Sequence, residues 1–256
     1  MIDISSPGLS PGEILARRLA AGAGLDRRAL ADLGGFGPVE RFGPGAAILE
    51  AGTSDPACLL VVAGAVAEVR TLDPQRRQLL RLRLPGDLLY ACDREDLVAL
   101  GRVGVADARA VVERLHSGGA GPAARRAWFE MGRADQRLLR DQLVRLGRLS
   151  ASERVAHFLL ETRARLQEVR LVEGETFHLP ATQAAMSDLL GLSSVHLSRT
   201  LHALRGDGLI GLRNGRVVLL DRARLERLCG WIPAAAPARQ APIRPAPEAA
   251  RARAEA

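Results

Sequence analysis

The sequence contains no lysine: all 36 of its basic residues are arginine, set against 29 acidic residues for a formal charge of +7. The planar guanidinium fork suits phosphate, so the excess points toward a nucleic-acid partner, although a GC-rich genome enriches the same codons and the bias alone does not decide. Cysteine is scarce as well. Cys58, Cys92 and Cys229 are odd in number and far apart, which excludes a secreted disulfide framework and a CxxC metal motif and fits a reducing cytoplasm. No window supplies the roughly 18 uninterrupted apolar residues of a membrane span. The stretch MIDISSPGLSPGEILARRL lacks a positively charged lead into an apolar core, so neither a membrane partner nor a secretory leader is expected. Also missing are GxSxG, P-loop and HExxH motifs and any GxGxxG set between a strand and a helix, so the chain is not expected to be an enzyme.

What is present supports one or two globular cores, since 47% of the 256 residues are hydrophobic. Residues 1–35 read as an N-terminal extension, partly helical. From 36 to 122 the text turns to short apolar runs, AAILEAG, CLLVVAGAVAEVR and RQLLRLRLPGDLL, punctuated by Gly45, Gly52, Gly64 and Gly86. Runs of that length between turn formers read as strands of a compact antiparallel sandwich or barrel, a small β-barrel being expected, with Asp73-Pro74 at a hairpin tip.

Residues 123–149 show helical spacing, with Trp128, Met131, Leu138 or Leu139, Leu143 and Leu146 along one side and arginine and aspartate filling the rest. Such a stripe needs a partner, either its own barrel or a symmetry mate. Ser150 and Glu153 form a capping-box pattern that opens a further domain, 150–231, whose first helix carries Val155, Phe158, Leu159, Leu166 and Val169 on its apolar face. The segment 232–256 is rich in proline, alanine and arginine and is read as a disordered tail.

Chemistry concentrates in LPATQAAMSDLLGLSSVHLSRTLHALRGDGLIGLRNGRVVLLD. Thr182 is placed to cap a short helix whose inner side is Ala185, Met186, Leu189 and Leu190 and which halts at Gly191. After a very short turn Ser193 caps a second helix, in which Leu197, Leu201 and Leu204 recur at helical spacing. Ser194, Val195, His196, Ser198, Arg199 and His202 are left outside. With small Ser187 four residues before Gly191, two short helices can cross closely as a helix-turn-helix whose second member enters the major groove. Arg199 can bridge guanine O6 and N7, and the serines and histidines can reach bases or phosphates. Asn214-Gly215 between apolar alternations predicts a two-residue hairpin, a β-wing with Arg213 and Arg216 at its tip facing the phosphate backbone. Each piece alone fits an ordinary helical hairpin; the conjunction points to double-stranded DNA.

Over roughly residues 36–228 the stretches FGPGAAILEAG, CLLVVAGAVAEVR, LRLPGDLL, LSASERVAHFLLE and LLGLSSVHLSRTLHALRGDGLI resemble the Crp/Fnr family of transcription regulators. The resemblance implies an α+β fold: an N-terminal jelly-roll-like β-barrel, a long dimerisation helix and a C-terminal winged helix-turn-helix domain. It further implies a cytoplasmic homodimer on palindromic DNA, with Arg199 as the foremost base reader beside Ser194 and Ser198, and it admits RNA polymerase as a partner. Two departures matter. Many members carry a glutamate where this chain has Val195, which cannot accept from cytosine N4 but can touch a thymine methyl. Cyclic-nucleotide-binding members follow a Gly-Glu pair with an Arg-Ser pair; here Gly86-Asp87 keeps an acid, but LLYACDREDLVALGRV has no Arg-Ser. Cyclic nucleotide is therefore not expected, and Gly86 and Asp87 stand as effector-binding candidates without an assigned ligand. An iron-sulfur cluster takes about four clustered thiolates, and His116, alone ahead of the helical region, is not assigned to haem, so no cofactor is expected. The competing readings are a small-molecule receptor whose DNA binding is secondary and a constitutive DNA binder governed by abundance.

Overall fold

The computed structural model describes residues 9–23, 35–53, 57–73, 76–117 and 121–233. Residues 1–8 and 24–34 of the N-terminal extension, Pro74 of the expected hairpin tip, Gly118-Gly119 and residues 234–256 of the tail lie outside the described residues. Eight strands form two antiparallel sheets. One holds β1 (Val39–Phe42), β8 (Val103–Asp107), β3 (Cys58–Ala63) and β6 (Leu88–Tyr90) in that order. The other holds β2 (Ala47–Leu49), β7 (Asp96–Ala99), β4 (Val66–Asp73) and β5 (Arg76–Arg83). This is the strand order of a jelly roll. Among the described residues no strand pairs across the two sheets, so the expected barrel is an open sandwich. The run CLLVVAGAVAEVR supplies β3 and the start of β4 and crosses from one sheet to the other. Its corner is Gly64, at φ +78, where a Cβ would fall 2.2 Å from the Arg102 carbonyl oxygen. Only glycine fits such an approach.

Side chains of β3 alternate with the strand period. Val61 enters the sandwich interior with Val66, Leu89, Leu97, Val103 and Val105. Leu60 and Val62 face the other way, onto helix α1 (Pro11–Ala23), α2 (Arg109–Ser117) and the first turns of α3 (Gly121–Arg148), where they meet Ile14, Leu15, Leu19, Val111, Leu115 and Ala127. Helix α1 starts with a capping box that the sequence reading passed over: the Glu13 carboxylate accepts from the Ser10 amide at 2.9 Å, and Ser10 Oγ accepts from the Glu13 amide at 3.3 Å.

The C-terminal part comprises α4 (Ala151–Glu168), β9 (Thr176–His178), α5 (Gln183–Leu190), α6 (Ser194–Gly206), the hairpin β10 (Ile210–Arg213) and β11 (Arg216–Leu219), and α7 (Arg222–Cys229). At its entrance the Glu153 carboxylate accepts from the Ser150 amide at 2.6 Å. The core does not stop at the domain boundary. Leu79, Leu82 and Leu84 from the β4–β5 sheet share one continuous apolar interior with Phe158, Leu159, Met186 and Leu190. Polar ties run alongside it: Arg77 Nε donates to Asp188 Oδ2 at 3.0 Å, Gln78 Nε2 to the Asp188 carbonyl at 2.7 Å and Arg165 Nη2 to the Leu82 carbonyl at 2.9 Å.

Between α3 and α4 sits His157, its ring edge-on to Trp231 with centroids 4.8 Å apart. Arg145 Nη2 lies 3.0 Å from His157 Nδ1. A guanidinium can only donate, so Nδ1 carries no proton. Burial, followed by the Arg145 charge, pulls the imidazole pKa from 6.5 down to about 4. The unfolded chain therefore binds this proton first as acid is added, and the stability tied to neutral His157 is present above pH 6.5 and lost as pH falls toward about 4. Thermal midpoints measured at both ends of that window are expected to fall more for the wild type than for His157→Leu; equal falls would contradict the assignment.

Candidate nucleic-acid interface

Helix α5 begins where Thr182, with extended backbone, offers its hydroxyl oxygen to the Ala185 amide at 3.1 Å. It ends at Gly191, which is left-handed at φ 61, ψ 40 and donates its amide to the Ser187 carbonyl. Ser193 then caps α6, accepting from the His196 amide at 3.2 Å. Leu197, Leu201 and Leu204 anchor α6 in the core, and Thr200 turns its hydroxyl inward to the His196 carbonyl at 2.9 Å. The other side faces solvent: Ser194, Val195, His196, Ser198, Arg199 and His202 are all exposed. They lie on one side of the helix with the capped N-terminal end. The amides there present partial positive charge to an incoming anion.

The wing follows directly. Asn214 at φ 50 and Gly215 at φ 76 make the two-residue turn that joins β10 to β11, with Arg213 paired opposite Arg216. Both arginines are exposed; Arg216 makes a 3.3 Å ion pair with Glu173, itself open to solvent. Such a pair is worth about 0–1 kcal/mol, so it yields readily to a phosphate. Strand β9, absent from the sequence reading, pairs with β11 and sets exposed His178 opposite Arg216. Its signal was the alternation of buried Phe177 and Leu179 around His178.

The effector candidates lie elsewhere, beneath α1 and α4. Gly86 has φ +94, and a Cβ on it would meet Arg18 Cβ at 3.0 Å and Val169 Cγ1 at 3.2 Å. Asp87 is 4% exposed and accepts from the Leu84 amide at 2.8 Å. It is ion-paired with Arg165 of α4 and, at 3.4 Å, with Arg18 of α1. Burial opposes its charge, but Arg165, Arg18 and Arg83 outweigh that penalty and hold the carboxyl below the usual carboxylate range. Beside it, between β6 and α3, lies a cavity of about 320 Å³ walled by Leu88, Tyr90, Trp128, Met131 and Asp135. Arg81 and Arg83 approach that wall already committed to Asp135, at 2.8 and 2.9 Å. The thiol of Cys58 is buried, and burial raises its pKa to about 11. Cys229 is buried and Cys92 half-buried.

A jelly-roll sandwich followed by a long helix and a winged helix-turn-helix with an open recognition face defines a DNA-binding regulator. A family model described as the Crp-like helix-turn-helix domain matches residues 153–228. The nitrogen fixation regulation protein FixK of Bradyrhizobium diazoefficiens is 32% identical over 177 residues, 66% of this chain and 72% of the relative. The transcriptional activator protein FnrL of Cereibacter sphaeroides is 29% identical over 233 residues, 84% of this chain and 89% of the relative. The solved structure of FixK2 from Bradyrhizobium japonicum matches with a TM-score of 0.62 at 28% identity, covering 75% of this chain and 96% of that one. The chain belongs to the Crp/Fnr family and is a DNA-binding transcription regulator. Among the described residues no helix is long and apolar enough to cross a membrane.

Asp87→Ala would remove the carboxylate that Arg18 and Arg165 share, leaving Arg18 with Glu168 and Arg165 with Glu161 and the Leu82 carbonyl. Removing one partner of a buried ion pair costs about 3–5 kcal/mol, against about 0–1 for an exposed pair. Urea unfolding is expected to show that contrast between Asp87→Ala and Glu173→Ala at the wing; a loss under about 1 kcal/mol for Asp87→Ala would contradict the network.

Proposed function

We propose that this regulator binds a palindromic duplex as a homodimer, with the two copies of α6 in adjacent major grooves and the two wings on the flanking phosphates. The observation that carries the reading is the outward face of α6. Arg199 projects from it into solvent and makes no ion pair among the described residues, so its guanidinium can bridge guanine O6 and N7. Ser194 and Ser198 flank it, Val195 at 58% exposure offers a methyl surface to thymine, and His196 and His202 reach the edges. Arg213 and Arg216 supply backbone affinity, and Thr182 and Ser193 bring capped helix ends toward phosphates.

Dimerisation is supported by α3. Phe129, Gly132, Gln136, Leu139, Leu143 and Leu146 alternate in steps of three and four, the spacing of a coiled-coil seam. Phe129 is 70% and Leu143 72% exposed in the single chain, an apolar outlay that a second copy would cover. Trp128 and Met131, read from sequence as part of the same stripe, turn instead to the chain's own N-terminal core.

In this reading the protein acts in the cytoplasm, without catalysis and without a resident cofactor, and meets RNA polymerase at promoters. Three separate cysteines fall short of the roughly four thiolates of an iron-sulfur cluster. The arginines nearest the cavity acids Asp87 and Asp135 are already paired with them, which leaves those cations unavailable to a cyclic phosphate. A second reading, a receptor whose small-molecule ligand is the main event, draws on that same cavity, whose Tyr90 and Trp128 suit an uncharged aromatic compound.

Purified wild type, Arg199→Ala and Val195→Glu, each incubated with fragmented genomic DNA at one near-physiological salt concentration, separate these readings. The wild type is expected to enrich a palindrome with half-sites about one helical turn apart, Arg199→Ala to lose it and Val195→Glu to shift its base preference. No enrichment by the wild type until cell extract is added would favour the receptor reading, and identical profiles for all three proteins would contradict the assignment of α6.

A further inference from the structure

The carboxyl ends of α3 and α5 and the link that leads into α4 meet at one point. The last turn of α3 exposes the Leu146 carbonyl, the link into α4 exposes that of Leu149, and the last turn of α5 exposes those of Leu189 and Leu190. Helix ends leave such carbonyls without intrahelical donors and carry partial negative charge. Arg154, on the first turn of α4, satisfies three of them at once: Nη2 donates to Leu146 at 3.0 Å, Nε to Leu149 at 2.8 Å and Nη1 to Leu190 at 3.0 Å. Gln142, buried on α3, donates Nε2 to Leu189 at 2.7 Å and has its own oxygen held by Arg145 Nη1 at 2.6 Å. The guanidinium is planar and its donors diverge at fixed angles, so three simultaneous bonds leave the joined segments little freedom to swing. Leu146 also approaches closely, its Cδ2 3.3 Å from where a Cβ on Gly191 would stand.

Helix α3 carries the apolar seam, and α5 is tied to α6 through the short Gly191–Ser193 turn. Fixing α5 against the end of α3 therefore fixes where α6 hangs from the seam. We propose that Arg154 and Gln142 are positioning residues that set the separation of the two recognition helices, and with it the half-site spacing the regulator accepts. The inference rests on the dimer reading above. Neither residue touches DNA in it; they act through the angle between α3 and α5.

A library of palindromes with one fixed half-site and a spacer varied base pair by base pair reads this directly. Wild type is expected to favour one spacing over its neighbours by roughly tenfold, the scale of a single mismatched contact. Gln142→Met, close in size but unable to donate, and Arg154→Gln are expected to flatten that ratio to about threefold or less. Base preference within each half-site, read by α6, is expected to stay as in the wild type. A thermal melt identifies either variant that fails to fold, and the other then carries the test. Unchanged spacing selectivity in a folded variant overturns the proposal, and so does loss of half-site preference along with spacing, because α6 itself would then be disturbed. A wild type indifferent to spacing removes the dimer reading, and this inference with it.

Discussion

The tie between a single buried carboxylate and two guanidiniums from distant parts of the chain organises the molecule. Asp87 sits in a tight turn of the sandwich and receives Arg18 from the N-terminal helix and Arg165 from the DNA-binding domain. Desolvating three charges is costly, and such a cluster is stable only when each member is paired in good geometry. Helix α1, the sandwich and α4 must then all be in place together. The continuous apolar interior from Leu79 and Leu82 to Phe158 and Met186 works in the same direction. The Gly86-Asp87 turn is occupied by the chain's own cations, Arg18 and Arg165.

The recognition unit obeys a different logic, because its geometry is local. Two N-caps, one left-handed glycine and a two-residue Asn-Gly turn define α5, α6 and the wing with interactions spanning four residues or fewer. Burial of Leu197, Leu201 and Leu204 then fixes which side of α6 faces out. The exposed face, Val195 included, is free to vary in sequence without cost to the fold.

That contrast explains what was legible in the sequence. Thr182, Gly191, Ser193 and Asn214-Gly215 were readable because caps and hairpin turns carry their causes within a few residues. The sandwich was readable as strands but not as two sheets, since pairing depends on partners such as Leu59 and Asp107, far apart in the chain. Strand β9 is only three residues long, and one alternation of Phe177 and Leu179 around His178 is too brief a signal to set it apart from a loop. The roles of Arg154 and Gln142 were hidden because both lie among many arginines and polar residues on amphipathic helices. Only the meeting of the α3 and α5 ends with the link into α4 distinguishes them. Asp87 was singled out for its position in a motif, and its partners, 69 residues before and 78 after, come from outside that motif.

The central claim is that sandwich and DNA-binding domain form one body joined at Asp87. Differential scanning calorimetry of the intact wild-type protein tests it most directly. A single heat-absorption peak, with the whole molecule melting as one cooperative unit, is the predicted result. Two resolved peaks, one for each domain, would contradict it.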